Sequence, residues 1–259
     1  MANSGSGDSV ISRVVRVLET FSAERTVQTA SEIGRAAGLP SSTAHRLADD
    51  LATNGLLERD EEHRYRLGMR LWELALRGST ALRLRQAALP HMEAVQSRIR
   101  QHTQLAVLER DEVLFIERLS HPAAGANIAS IAGRLPLHAS SAGLVLLAHA
   151  EPAVRDRVLA GPLRRLGPGT LTDPAQLRRE LTAIRRSGVV IAPGSVEGVS
   201  TGVAVPLRDA GTVIAALSVV LPRDGAGAAH EVDPTAAAVE LRRAAVAIEE
   251  ELRALRAAR

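Results

Sequence analysis

The first eighty residues carry short apolar stripes separated by polar punctuation, and the stripes have helical spacing. Val10, Val14, Val17 and Phe21 recur at four-three-four intervals behind Asp8 or Ser9, which predicts a capped amphipathic helix over 8–22. After a break at 23–27, Thr29 with Glu32 three residues later is a capping-box pattern that opens a short helix to Ala37, closed by Gly38. A third helix is predicted over Ser41–Asn54. Pro40 and Ser41 supply its start, serine being able to cap free amides, and Asn54-Gly55 its stop. Within it Ala44, Leu47, Ala48 and Leu51 share one side. Ser42, Arg46 and Asp49 point the opposite way, with Thr43 and His45 on the flanks. Leu56–Arg59 and Arg64–Leu67 then bracket the polar turn Asp60–His63, as the strands of a hairpin do.

Residues 69–85 place Met69, Leu71, Trp72, Leu74 and Leu76 in a helix interrupted at Gly78-Ser79. That is more apolar surface than a free linker carries; it is expected either to pair with its twin in a dimer or to pack back on its own domain. From Gln86 the pattern changes to a helix over 86–101 and strands over Thr103–Glu109 and Val113–Arg118 around the turn 110–112. A strand over Asn127–Ala132 follows, then a loop feeding a helix near Ser140. Helices are read over Pro152–Leu159 and Pro174–Arg186, and strands over Val189–Ala192, Gly202–Leu207 and Thr212–Leu221. A last helix, 233–257, is striped by Leu241, Ala245, Ile248, Leu252 and Leu255. The chain is thus expected to hold a disordered lead (1–7), a first domain (8–68), a linker helix (69–85) and a second domain (86–259).

Composition narrows the chemistry. Hydrophobic residues are 46% of 259 and no run of about 18 apolar residues occurs, so a cytoplasmic protein without a membrane partner is expected. Cysteine is absent, which excludes disulfides and thiolate metal sites. All 32 basic side chains are arginines, yet residues 1–80 match ten arginines with eleven acids. Affinity for nucleic acid must therefore come from where the arginines sit. Ser41, Ser42, Thr43, His45 and Arg46 at the front of one exposed helix suit the phosphates and base edges of a DNA major groove. The eight histidines show no close helical pair, so no metal and no cofactor are expected. A Ser140–His138 nucleophile lacks the Gly-x-Ser-x-Gly elbow, and residues two apart on an extended loop diverge; an enzyme is not expected. Ser140, Ser141, Ala142 and Gly143 at a helix start would instead offer backbone N–H groups to a small carboxylate.

The helix, helix-turn-helix and hairpin ending in Tyr65-Arg66-Leu67-Gly68 resemble the winged-helix half of an IclR-type transcriptional regulator. The stretch from Gly133 to Ala148 resembles that family's effector-domain signature, and Ser187–Val190, Gly202–Leu207 and Ala215–Val219 resemble the remainder. The resemblance implies an α+β fold, an N-terminal winged helix-turn-helix joined by a linker helix to a C-terminal GAF-like α/β effector-binding domain. It implies DNA contacts from Ser41, Ser42, Thr43, His45 and Arg46 on the recognition helix and from Arg64 on the wing near a phosphate. The acidic tip Asp60-Glu61-Glu62 is expected to point away from phosphates. Effector contacts are implied at His138, Ser140, Ser141, Ala142 and Gly143, with Val205, Pro206 and Ser218 on the far wall. The partners implied are double-stranded DNA with a pseudo-palindromic operator, a small-molecule effector and further copies of the chain, as a dimer or tetramer. Effectors in the family are typically small organic acids or aromatic metabolites; with two Phe, one Tyr and one Trp in the chain, an aliphatic pocket is expected. Two departures stand out. Leu144 follows Gly143 where the family commonly has lysine, and Glu197 is followed directly by Gly198, leaving Glu197 without an assigned role. Two rival readings are a regulator acting through DNA and oligomer contacts alone, and a small-molecule enzyme with a winged helix as contact module.

Overall fold

The computed structural model describes residues 8–22, 24–121, 124, 131, 133–223 and 232–257, and it divides into two compact units, Met1–Leu82 and Arg83–Arg259. The expected lead over 1–7 lies outside the described residues, as does the expected strand at 127–132 apart from Ile131, which sits in a turn.

The first unit runs α1 (Val10–Glu19), β1 (Gln28–Thr29), α2 (Ala30–Ala37), α3 (Ser41–Thr53), β2 (Leu57–Arg59), β3 (Arg64–Leu67) and α4 (Met69–Leu76). Ser9 caps α1 by accepting from the Ser12 N–H, while Asp8 pairs with Arg16 instead. Thr29 and Glu32 form the full capping box of α2. Gly34 is where α2 and α3 touch: a Cβ there would lie 2.9 Å from the Cβ of Ala44, so only glycine allows this approach. Val17, Ile33, Leu47, Leu51, Leu57 and Tyr65 form the core. Each such side chain withdrawn from water favours the fold by about 1.5–3 kcal/mol before conformational entropy is charged against it. The stripe predicted on α1 holds at Val17 but fails at Val10, which is 57% exposed because it lies on the opening turn, beyond the reach of α2 and α3. β1 pairs with β3 and β3 with β2, all antiparallel, making the wing.

No residue of α4 is buried; Met69, Trp72, Leu74 and Leu76 are all exposed large apolar side chains. The helix expected to start at Gln86 instead starts at Thr80 and continues to Ile99 as α5. Ser79 explains the earlier start, because its Oγ accepts from the Leu82 N–H and caps the first turn.

In the second unit β4 (His102–Glu109), β5 (Glu112–Leu119), β6 (Arg134–Pro136), β7 (Val190–Pro193), β8 (Ser200–Asp209) and β9 (Thr212–Pro222) form one antiparallel sheet in the order β6-β5-β4-β9-β8-β7. β6 extends the expected loop at 133–140 into a short edge strand. Strand alternation gives the sheet two apolar faces. On one, Leu105, Val203, Val205, Leu217 and Val219 pack against α5 and α9 (Pro234–Ala257). On the other, Ala106, Phe115, Ala204 and Ala216 pack against α6 (Ser141–His149), α7 (Pro152–Ala160) and α8 (Pro174–Ser187). The stripe on α9 is buried at Leu241, Ala245 and Ile248 but runs out at Leu255, which is 47% exposed.

Candidate functional site

Two helix starts carry the candidate chemistry. In α3, Pro40 occupies the cap position with extended backbone (φ −56°, ψ 143°), so Ser41 is the first helical residue and makes no capping hydrogen bond. The expectation that Ser41 caps α3 is therefore corrected: proline at the cap leaves the first-turn amides unpaired by any side chain. Ser41, Ser42, His45 and Arg46 are exposed, Thr43 is half-buried, and Arg46 enters no ion pair among the described residues. This is a face of hydroxyls, one imidazole and one free guanidinium.

Asp49, on the same outward face, turns toward the wing. Its Oδ1 accepts a 2.6 Å hydrogen bond from the Tyr65 hydroxyl and pairs with Arg59 at 3.2 Å, and the Arg59 guanidinium lies 5.5 Å from the Tyr65 ring centre. Burial of the ring and the hydrogen bond to Asp49 push the Tyr65 hydroxyl up to about 12. The triplet ties the wing to α3. Arg64 differs from expectation: its guanidinium is held by Glu62 at 2.7 Å and Asp60 at 3.0 Å, and these two acids push it up from its usual value. Asp60 and Glu62 fold onto Arg64 rather than standing clear, because a short hairpin places residues two and four apart within reach.

α6 begins differently. Ser140 is extended (φ −114°, ψ 155°) and its Oγ accepts from the Gly143 N–H at 3.1 Å, a true cap. The Gly143 N–H is thereby used, which corrects its expected availability to an effector. The amides of Ser141 and Ala142, in the first turn, have no carbonyl within the helix to receive them. Next to them opens a small cleft of about 40 Å³ whose walls include Gln104, Phe115, Leu135, Ser195, Glu197 and Val220 as well as Ser140, Ser141 and Ala142. Gly202 floors it: a Cβ there would fall 2.5 Å from Ser141 Oγ, so only glycine lets the α6 start lie directly on β8.

The loop of Ser195 and Glu197 is fixed by backbone. Gly169 N–H donates to the Gly194 carbonyl (2.8 Å) and Gly194 N–H to the Ser200 carbonyl (2.8 Å). Thr170 Oγ1 accepts from Gly167 N–H and donates to the Ser195 carbonyl at 2.6 Å, and Ser195 Oγ donates to the carbonyl of Ala139. Gln104 is 4% exposed; its Oε1 accepts from Ser218 Oγ (3.4 Å) and its Nε2 has no partner.

Several expected contacts do not converge here. His138 is buried on the other side of the 133–140 loop, where Nε2 donates to the Arg164 carbonyl at 3.0 Å. Val205 belongs to the opposite face of the sheet, since strand residues alternate and Gly202 and Ala204 hold the cleft face. Pro206 shares the Gly202 face but stands four residues, about 14 Å, further along β8. Ser218 acts through Gln104 rather than on the cleft wall. Leu144, the departure from the family pattern, is 3% exposed in the core and away from the cleft. The expected aliphatic wall contains one ring, Phe115. Glu197, given no role from sequence, lines the mouth together with Ser195, and no local signal pointed to Gln104.

Among the described residues no group of three or more His, Asp or Glu could hold a metal ion, and no helix is long and apolar enough to cross a membrane. Comparison with known proteins matches residues 10–61 to the IclR helix-turn-helix domain and 79–249 to the bacterial transcriptional regulator IclR C-terminal domain. The HTH-type transcriptional regulator XynR of Escherichia coli is 30% identical over 211 residues, covering 80% of this chain and 84% of that protein. An IclR homolog from Microbacterium hydrocarbonoxydans, solved in complex with 4-hydroxybenzoate, is 62% identical with a TM-score of 0.88, covering 95% of this chain and all of the other. A second IclR homolog, from Microbacterium sp. strain HM58-2, is 61% identical with a TM-score of 0.62, covering 95% of this chain and 99% of the other.

Proposed function

Because this chain belongs to the IclR family of DNA-binding transcriptional regulators, we propose that its operator affinity is set by a small organic acid bound in the cleft at the start of α6. The observation that carries the reading is the pair of first-turn amides of Ser141 and Ala142, left without a helical carbonyl, beside a largely apolar cleft. Oriented donors at a helix N-terminus favour a carboxylate, and Phe115, Leu135 and Val220 favour an apolar body behind it. The 4-hydroxybenzoate held by the Microbacterium hydrocarbonoxydans homolog is an acid of that description. Binding acts by linkage: an acid that prefers one oligomer geometry shifts the population able to hold DNA.

In the first unit, α3 enters the major groove with Arg46 on base edges or phosphate and its uncapped first turn on the backbone. Ser41, Ser42, Thr43 and His45 supply the shorter contacts. Arg64, neutralised by Asp60 and Glu62, contributes little net charge to that surface. A pseudo-palindromic operator read by a homo-oligomer requires a face for a second copy, and the exposed Met69, Trp72, Leu74 and Leu76 on α4 suit it.

Selection of bound fragments from genomic DNA, with Arg46→Ala in parallel, tests the reading. The wild type enriches a two-fold-symmetric site and the variant loses about 10- to 100-fold in affinity for it. Equal enrichment by both proteins would remove Arg46 from the interface. A thermal-shift panel of small acids against uncharged analogues tests the cleft; shifts confined to the uncharged set would remove the carboxylate.

A further inference from the structure

Burial does not aim α4. None of its residues is buried, and a groove lined by Glu58, Arg66, Leu67, Trp72 and Ala75 opens between it and the wing. Its direction within the first unit is therefore set where it begins, and three attachments lie there. The Gly68 N–H donates to the Leu56 carbonyl at 2.9 Å. A Cβ on Gly68 would overlap the Gly55 carbonyl, so only glycine lets the chain pass this closely over the turn that ends α3. Gly55 in turn leaves room for the Arg70 side chain, which a Cβ at that position would meet at 3.5 Å.

Glu58, on β2, supplies the third attachment. The cap position of α4 is Gly68, which has no side chain to offer the first-turn amides. Glu58 reaches across instead. Its Oε1 accepts from the Met69 N–H at 3.2 Å, while Oε2 accepts from Arg66 Nε at 2.9 Å and pairs with Arg66 Nη2 at 2.8 Å. Arg66 and then the Met69 N–H hold the Glu58 carboxyl below its ordinary range. Arg66 stands directly opposite Glu58 in the β2–β3 register, so the ion pair fixes the carboxylate on the wing and leaves the second oxygen to the helix start. A half-exposed ion pair of this kind adds little to folding stability. Its effect is geometric.

The lever is long enough to matter for operator reading. Eight residues at about 1.5 Å each make α4 about 12 Å long. A swing of about 20° at Met69 then displaces the far end by about 4 Å, roughly one base-pair step. Two chains joined through α4 carry that displacement to the separation of their recognition helices.

We propose that Glu58 is a positioning residue for operator reading: by holding Met69 it fixes α4 to the wing and α3, and so sets the half-site spacing that a pair of chains accepts. The proposal rests on the reading of α4 as the face for a second copy and of the operator as two-fold symmetric. Glu58 itself touches no DNA.

The test uses the full chain and the two-fold site enriched from genomic DNA, beside the same site with one base pair inserted between its halves. The wild type is expected to lose about tenfold in affinity on the insertion. In Glu58→Ala the loss falls to within about twofold; the ratio of the two affinities cancels whatever the released Arg66 adds to DNA attraction. Glu58→Gln keeps an oxygen for the Met69 N–H and is expected to restore the wild-type ratio. A tenfold loss that persists in Glu58→Ala overturns the proposal. So does a collapse in Glu58→Gln equal to that in the alanine protein, which would assign the effect to lost charge. A wild type that selects a symmetric site but tolerates the inserted pair also overturns it and leaves the operator reading standing. Failure to select any symmetric site overturns that reading and this one with it.

Discussion

α3 and α6 start with nearly the same letters, Pro40-Ser41-Ser42 and Ala139-Ser140-Ser141, and end up as opposite devices. In α3 proline takes the cap, both serines fall inside the helix, and the uncapped first turn is exposed. In α6 the first serine is the cap, its Oγ closes on Gly143, and the whole helix from Ser141 to Ala148 is buried. A bare, open helix start can meet a bulky polyanion such as a DNA backbone. A capped, enclosed one with two amides to spare can meet only a small group. The identity of one residue before the serines, together with what the sheet places beneath, decides between them.

The comparison breaks most sharply at Gly202. Gly202→Val puts a branched side chain where even a Cβ lies 2.5 Å from Ser141 Oγ. We expect a loss of about 1–3 kcal/mol in stability of the second unit and no acid-induced thermal shift, with operator binding by the first unit tested alongside. Retained acid binding would show that the α6 start is not the receptor.

The next effect is a contrast. Ser140→Ala removes a functioning cap and is expected to cost about 1 kcal/mol in denaturant unfolding, whereas Ser41→Ala removes none and stays within about 0.5 kcal/mol. Equal losses would mean that Ser41 caps after all.

The smallest effect lies at the far end of α6. His149 donates from Nδ1 to the Val145 carbonyl (2.9 Å) and accepts at Nε2 from Arg208 (3.4 Å), and burial, against the bond to Val145, holds its pKa below the ordinary 6.5. A base whose folded pKa is lowered binds its proton more readily when unfolded. Its contribution to stability is complete above pH 6.5 and declines as pH falls below it, toward the lowered folded value. Urea unfolding between pH 7.5 and 5.5 should show this decline in the wild type and a shallower one in His149→Gln.

How much of this was legible in the sequence follows from the range of the forces. The Thr29–Glu32 box and the Ala44–Leu51 stripe are set within a few residues of chain, and they could be read directly. So could the Ser140–Gly143 start of α6. Arg64's capture by Asp60 and Glu62 is equally local and open to the same reading, but there reach and not charge decides where the wing tip points. The cleft is another matter. Gln104, Phe115 and Glu197 meet Ser141 only through strand registers and a loop clamp spanning dozens of residues, and no single stretch encodes that meeting. Val205 shows the sensitivity: a one-residue step along β8 moves a side chain from the cleft to the opposite core.

The clamp around Ser195 has a consequence for how such a protein changes over generations. The hydrogen bonds that hold the 193–200 loop against 139 and 167–170 come mostly from main-chain atoms, with Thr170 and Ser195 as fasteners. The side chains that colour the cleft, at Gln104, Phe115, Leu135 and Glu197, are not among those fasteners. Ser195 apart, which is both fastener and wall, frame and lining can therefore mutate separately. A lineage could recolour the cleft by replacing the lining, while the frame passes on unaltered.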